Sequence, residues 1–338
     1  MSVTQADSVH ERMRVLLCEL QDHLRKIILA ARDADTGQSL AGVAEETAAD
    51  TIYRVDKVSE EAISDWFATH WPADLPVELV MEGIEEGPPT TFPVGTPVEE
   101  TAWKCILDPI DGTRNLMYDK RSAWALAGIA PQKGSENRLQ DIVAAAMTEL
   151  PTTKQWRSDQ ISAVRGGGIT ATARDIRRGG TEPLSLSPSS ATDCRHAFAS
   201  VTRFFPDGLE LLGKLEEQLW YRLYPEGSGK SPLVFNDQYI TTGGQLYEIL
   251  IGHDRFIADL RPLAFAKLGL PGSLSTHPYD LAAALVAEEA GIVLEDPLTH
   301  APVNPPMDTT TPVNWVAYAN PVLAGKIRPV LSQLLTGW

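Results

Sequence analysis

The sequence predicts a layered α/β (α+β) protein in which helices alternate with sheets. Three observations lead there. The chain has 338 residues, more than one average domain, and 43% of them are hydrophobic, enough for a sizeable core. Its first half reads as two amphipathic helices followed by a series of short apolar runs with strand character. Its second half alternates helical and extended patterns, the usual mark of α/β architecture.

Residues 7 to 32 place Met13, Leu16, Leu17, Leu20, Leu24, Ile27 and Ile28 at helical spacing. "DKVSEEAISDWFATHW" (56 to 71) reads as a second helix with Asp56 as its N-cap. "VELVM" (77 to 81), "AWKCIL" (102 to 107), "AWALAGIA" (123 to 130) and "DIVAAAMTEL" (141 to 150) follow as short apolar runs. "KQWRSD" (154 to 159) ahead of "AVRGGGI" (163 to 169) predicts a strand and hairpin, with the glycines at its tip. "TEPLSLSPSSATD" (181 to 193) is rich in Ser, Thr and Pro and reads as a connector, which divides the chain into domains 1–180 and 181–338. Beyond it come a strand at "HAFASVT", helices at "DGLELLGKLEEQL" and "GGQLYEILIG", a strand at "RFIADL" and a helix at "YDLAAALVAEEAG" closed by Gly291. "NWVAYA" and "PVLAGKIRPVLSQLL" finish the chain as strand and helix.

The formal charge of −16, from 29 basic and 45 acidic residues, argues against a nucleic-acid polymer or an anionic membrane as partner. It leaves small anionic substrates open, because bound cations reverse a local field. Cys18, Cys105 and Cys194 are widely spaced and odd in number, so the expectation is reduced thiols in a cytoplasmic protein. No signal peptide and no membrane-spanning run is read in the sequence.

One stretch carries chemistry. In "CILDPIDGTRNL" (105 to 116) an apolar strand ends in Asp108, and Asp111 follows three residues on. Pro109 fixes the backbone and removes an amide donor. Two carboxylates at one strand end repel each other unless a cation lies between them, and Mg²⁺ is a hard ion that takes oxygen ligands. Gly112 permits close backbone approach, and a helix beginning at Thr113 would aim amides outward as an anion site. The plain alternative is a turn, since Asp-Pro and Asp-Gly are ordinary turn dipeptides.

This stretch closely resembles the first signature of the inositol monophosphatase superfamily, the lithium-sensitive, Mg²⁺-dependent phosphatases that include archaeal-type fructose-1,6-bisphosphatases and phosphoadenosine-phosphate phosphatases. "HPYDLAAALVAEEAG" (277 to 291) resembles the second signature. "VELVMEG" resembles the strand that delivers a metal-binding Glu, and "ADTIYRVD" (49 to 56) resembles an upstream Asp-bearing segment. The landmarks stand in the superfamily's order and span residues 49 to 291. The resemblance implies the sugar-phosphatase fold, a homodimer, and two or three Mg²⁺ ions. By resemblance Asp108 bridges two metals, Glu82 and the Ile110 carbonyl complete one site, and Asp111 and Asp280 complete the other. A water oriented by Glu82 and Thr113 would attack phosphorus, Asp56 would help Thr113 take its proton, and the Gly112 and Thr113 amides would hold phosphate. Asp280 is readable also as the N-cap of the helix that follows it.

The chain departs from the pattern in places. Gly83 follows Glu82 where a second Glu is usual, leaving Glu85 or Glu86 for that role. Arg114 replaces a small hydroxyl residue and is a candidate phosphate contact. Arg261, in "ADLRP", is the candidate for a second phosphate, against the plainer reading of a surface arginine. The expected activity is hydrolysis of a small sugar or polyol phosphate, most simply inositol monophosphate. The alternatives are fructose-1,6-bisphosphate, a 3'-phosphoadenosine nucleotide, or a catalytically silent binding protein. "GSGKSP" (227 to 232) is rejected as a phosphate loop, because Tyr224 stands where the pattern needs Gly.

Overall fold

The computed structural model describes residues 5–34, 43–46, 51–84, 88–227, 231–270 and 274–338. Helix α1 (Gln5–Ala34) is followed by a small antiparallel pair, β1 (Val43–Glu46) and β2 (Thr51–Tyr53), and then by α2 (Arg54–His70). A strand-rich segment comes next: β3 (Val77–Met81), β4 (Thr90–Phe92), β5 (Trp103–Asp111), the short helix α3 (Thr113–Met117), β6 (Ala123–Pro131), β7 (Ala144–Leu150), β8 (Arg157–Val164), β9 (Ile169–Asp175) and β10 (Thr181–Pro183). The remaining elements are β11 (Ala197–Val201), α4 (Leu209–Leu223), β12 (Val234–Phe235), α5 (Thr242–Leu250), β13 (Asp254–Asp259), α6 (Arg261–Leu268), a 3-10 turn (Tyr279–Leu281), α7 (Ala284–Glu289), β14 (Val293–Glu295), β15 (Trp315–Tyr318) and α8 (Pro321–Leu335).

Strands β3 to β10 form an eight-stranded sheet in the order β10-β9-β8-β7-β6-β5-β3-β4. Its pairs are antiparallel except β3 with β5. A five-stranded sheet follows the order β12-β11-β13-β15-β14, with β11 parallel to both neighbours. The last strand of the first sheet ends at Pro183, so the expected connector of 181 to 193 begins with a strand.

The layers run α1 and α2, first sheet, α5 and α7, second sheet, then α4, α6 and α8. The first sheet is therefore covered on both faces, which explains why β5 and β6 read as continuous apolar runs rather than as alternating patterns. The period of two survives in where the side chains go. Cys105 and Leu107 of β5, with Ala123, Ala125, Ala127 and Ile129 of β6, pack toward α1 and α2. Ile106, Trp124, Leu126 and Ala130 pack toward α5 and α7.

Two sequence expectations are corrected. Helix α2 begins at Arg54, so Asp56 lies in its first turn rather than at its N-cap. The helix expected from Tyr279 to Gly291 is broken into a 3-10 turn and α7, whose N-cap is Ala283. Asp280 therefore does not cap that helix; its Oδ2 accepts from the His277 amide at 2.6 Å instead. Glu85, Glu86, Lys230 and the first residues of the segment 49–56 lie outside the described residues, and no described helix is long and apolar enough to cross a membrane.

Candidate metal centre

The site begins with a register slip. Asp108 pairs with Leu126 across the β5–β6 ladder, and Asp111 pairs with Trp124. Three steps along β5 thus match two along β6, which is a bulge of one residue at Pro109 and Ile110. In a regular strand, residues three apart point to opposite faces. The extra residue cancels that alternation and turns Asp108 and Asp111 to the same side. Pro109, with no amide to offer the ladder, is suited to the slip. The Asp108 carboxylate then accepts from the Ile110 amide at 3.0 Å, which fixes the local turn.

Asp111 reaches across to the second half of the chain. Its Oδ2 accepts from Thr241 Oγ1 at 2.6 Å and from the Gly243 amide at 2.5 Å, and its Oδ1 accepts from the Thr242 amide at 3.2 Å. These donors are the N-terminal turn of α5, whose N-cap is Thr241, so the carboxylate sits where the helix dipole favours negative charge. Thr241, Thr242 and Gly243 were not singled out in the sequence. The Thr-Thr-Gly-Gly run signals a capped helix start, but nothing in it says which strand end the cap will meet.

Asp280 enters from the 3-10 turn, and Gly128 explains its approach. A Cβ on Gly128 would lie 2.4 Å from the Ala282 carbonyl oxygen, so only a glycine in β6 lets this backbone press onto the sheet. Carboxylate oxygens of Asp108, Asp111 and Asp280 all lie within 4.8 Å of one another. Asp108 and Asp111 are 1% and 5% exposed. Burial, then repulsion from Glu82, Asp111 and Asp280, holds the Asp108 carboxyl well above the usual range. Burial and Asp111 do the same to Asp280. Burial also lifts Asp111, but its three donors oppose it and leave it at about 6.

The other expected residues surround this cluster unevenly. Glu82 follows β3, with its amide donating to the Leu107 carbonyl at 3.4 Å, and stands beside Asp108 rather than within the three-carboxylate group. Gly112 adopts φ 93°, a left-handed conformation that a side chain would resist, and serves as N-cap of α3. Thr113 Oγ1 lies 3.1 Å from Asp56 Oδ1 and 3.0 Å from the Ile110 carbonyl oxygen, so Asp56 faces Thr113 instead of capping α2. Arg114 is half-buried on α3.

Arg261 is not the surface residue that its charge suggested: it is 7% exposed. Its guanidinium grips Asp259, bonds the Leu274 carbonyl at 2.7 Å and the Thr276 hydroxyl at 3.2 Å, and lies under the Phe204 and Phe205 rings. A second phosphate here would meet a guanidinium already engaged by Asp259.

No sequence-family profile and no curated protein sequence matches the chain. Solved structures do match over nearly its whole length. Leishmania major fructose-1,6-bisphosphatase in its holo form is 12% identical with a TM-score of 0.66, over 99% of each chain. Mycobacterium tuberculosis SuhB is 18% identical with a TM-score of 0.56, over 97% of this chain and 96% of that one. A hypothetical protein from Pyrococcus horikoshii with similarities to inositol-1 monophosphatase is 16% identical with a TM-score of 0.57, over 95% and 98%. The chain has the inositol monophosphatase fold. Within that fold the described residues gather an acidic cluster with no nitrogen or sulfur ligand, a donor set that fits a hard divalent cation and does not fit zinc or copper in their usual sites.

Proposed function

We propose that the protein is a Mg²⁺-dependent phosphomonoesterase acting on a small sugar or polyol phosphate, most simply an inositol monophosphate. The observation that carries this reading is the convergence of Asp108 and Asp111, both buried, with the half-buried Asp280 into one all-oxygen cluster. These three, with Glu82 and the Ile110 carbonyl beside them, would hold two or three ions. A cation bound there supplies charge stabilisation at phosphoryl oxygens and acidifies a water for attack.

The protein's own groups account for the rest. Thr113 Oγ1 is within hydrogen-bond reach of Asp56 Oδ1, so the hydroxyl can orient a water while Asp56 accepts the proton that Thr113 releases. The amides of Gly112, the N-cap of α3, and of Thr113, its first residue, would donate to phosphate oxygens beside Asp111, and Arg114 follows on the same short helix. Burial of Asp108 and Asp111 lowers the local dielectric and strengthens each charge interaction there.

Fructose-1,6-bisphosphate is the second reading, favoured by the end-to-end match to the Leishmania enzyme. Phosphate release should be followed with inositol monophosphates, fructose-1,6-bisphosphate and 3'-phosphoadenosine nucleotides, with Mg²⁺ and with EDTA. Turnover of one class in Mg²⁺ and its loss in chelator is the expected result. Undiminished turnover in EDTA, with the protein shown to be metal-free, refutes the mechanism. No release from any phosphate ester favours a silent binding protein.

A further inference from the structure

The segment that presents Asp280 has one conspicuous anchor. Asp259, at the end of β13, is fully buried and takes Arg261 in a forked grip: Nε lies 2.9 Å from Oδ1 and 3.0 Å from Oδ2, and Nη2 lies 2.6 Å from Oδ2. The Arg261 amide adds a fourth bond, to Oδ1 at 3.1 Å. A guanidinium held this way has a fixed orientation, and its remaining donors point to one place. Nη1 donates to the Leu274 carbonyl at 2.7 Å, and Nη2 to the Thr276 hydroxyl at 3.2 Å. That hydroxyl donates to Asp259 Oδ2 at 2.8 Å and accepts from Trp315 Nε1 at 3.3 Å, while the Thr276 carbonyl accepts from the Val313 amide at 2.8 Å. The next residue is His277, whose amide binds the Asp280 carboxylate at 2.6 Å.

We propose that Arg261 is a positioning residue for the metal centre: locked by Asp259, it holds residues 274 to 276 so that Asp280 meets Asp108 and Asp111. The inference rests on the cation reading above and adds to it a residue outside the carboxylate cluster. It separates from simple electrostatics by sign. The Asp259–Arg261 pair is close to neutral. Removing the guanidinium leaves a buried carboxylate near the cluster, which by charge alone would draw a cation in more tightly. Loss of positioning does the opposite, since an outer partner that orients a ligand is worth about 10–100-fold in metal affinity.

The test is Mn²⁺ binding to the full chain near neutral pH, read from the free-ion electron paramagnetic resonance signal, with folding checked by circular dichroism. Arg261→Gln and Arg261→Lys should each weaken binding by about tenfold or more. Thr276→Val should also weaken it, while Thr276→Ser, which keeps the hydroxyl, should bind as the unaltered protein does. The Thr276 pair leaves the buried ion pair in place, so it decides the matter if the Arg261 variants do not fold. Binding by Arg261→Gln that is equal or tighter overturns the proposal, as does Thr276→Val indistinguishable from Thr276→Ser. Asp108→Asn marks the site. If the unaltered protein binds no Mn²⁺, or binds it equally well as Asp108→Asn, the cation reading itself fails and this inference fails with it.

Discussion

Asp111→Asn separates a metal ligand from a structural turn residue, because its two expected effects on stability have opposite signs. The amide keeps one acceptor oxygen and turns one NH₂ toward a donor. Oδ2 receives two short bonds, from Thr241 and Gly243, and Oδ1 receives one longer bond from Thr242 at 3.2 Å. The side chain should therefore keep oxygen at the Oδ2 position and set NH₂ against the Thr242 amide. One buried donor then loses its acceptor, at a cost of about 1–3 kcal/mol. Against this stands the ionisation of the natural residue. Burial raises its carboxyl from the ordinary 3.8 to about 6. A raised carboxyl makes the fold bind its proton more tightly than the unfolded chain does. The stabilisation from that proton is full below the unfolded value and is lost as pH rises through the folded one. Above pH 6 the loss amounts to roughly 3 kcal/mol, and Asn never incurs it.

The metal-free variant should thus be close to or below the natural protein in stability near pH 5, and equal or more stable near pH 8. Roughly half of the 3 kcal/mol develops across that interval. Urea unfolding in EDTA at several pH values gives the difference directly. Adding Mg²⁺ should reverse the order at pH 8, since only the natural cluster gains by binding, and phosphatase activity of the variant should vanish. A stability difference that stays flat from pH 5 to pH 8 would refute the electrostatic account. Equal loss of folding and activity would mean that Asp111 is only a turn residue.

Two further substitutions probe the surroundings. Thr113→Ala removes the hydroxyl that lies 3.1 Å from Asp56 and should lower phosphate release by about 10²-fold or more, the usual share of a general-base partner. Its unfolding free energy should drop by only about 0.5–1.5 kcal/mol, and activity near that of the unaltered protein sinks the proton-transfer role. Gly128→Ala puts a methyl group 2.4 Å from the Ala282 carbonyl oxygen, so the 3-10 turn must move off the sheet. Overpacking of this kind costs about 1–3 kcal/mol, and Mn²⁺ affinity should fall with it; unchanged affinity would show that Asp280 does not depend on this contact.

Much of the fold was legible because its elements follow simple periodicities. Helix α8 spans the residues that the apolar spacing marks, and the β8–β9 hairpin turns at the glycines of "RGGGI", where Gly166 and Gly168 have positive φ. The two carboxylates of "DPIDG" were also legible, since their chemistry is local to five residues. What stayed hidden depends on partners far along the chain. Asp56 and Asp280 both look like N-caps, because Asp before an apolar helical run is the commonest cap signal. The structure gives each carboxylate another partner, Thr113 for one and the His277 amide for the other. Arg261 reads as surface because buried arginine is rare without a buried acid. Its acid, Asp259, is only two residues away, but a strand end and a helix start must meet before the fork can close.

The cluster draws its members from distant parts of the chain, and that has an energetic consequence. Asp108 and Asp111 come from the first sheet, while Asp280 and the α5 amides come from the half that builds the second. Folding therefore brings like charges together from distant parts of the chain. The α5 turn and the Asp259-bound arginine soften that repulsion, since both act on Asp111 to favour its charged form, but burial outweighs them. A bound cation stabilises the folded state by RT ln(1 + [L]/Kd), about 2.7 kcal/mol at a hundredfold excess over Kd. That is the same size as the roughly 3 kcal/mol that ionising Asp111 alone costs above pH 6. Binding and folding are then coupled, and cation affinity should respond to any change that shifts the segments carrying the carboxylates. Gly128 and Arg261 meet the segment carrying Asp280 at different points, the first at Ala282 and the second at Leu274 and Thr276. If a substitution at either residue left Mn²⁺ affinity untouched while lowering stability, the packing of this segment and the site would be separate features of the fold.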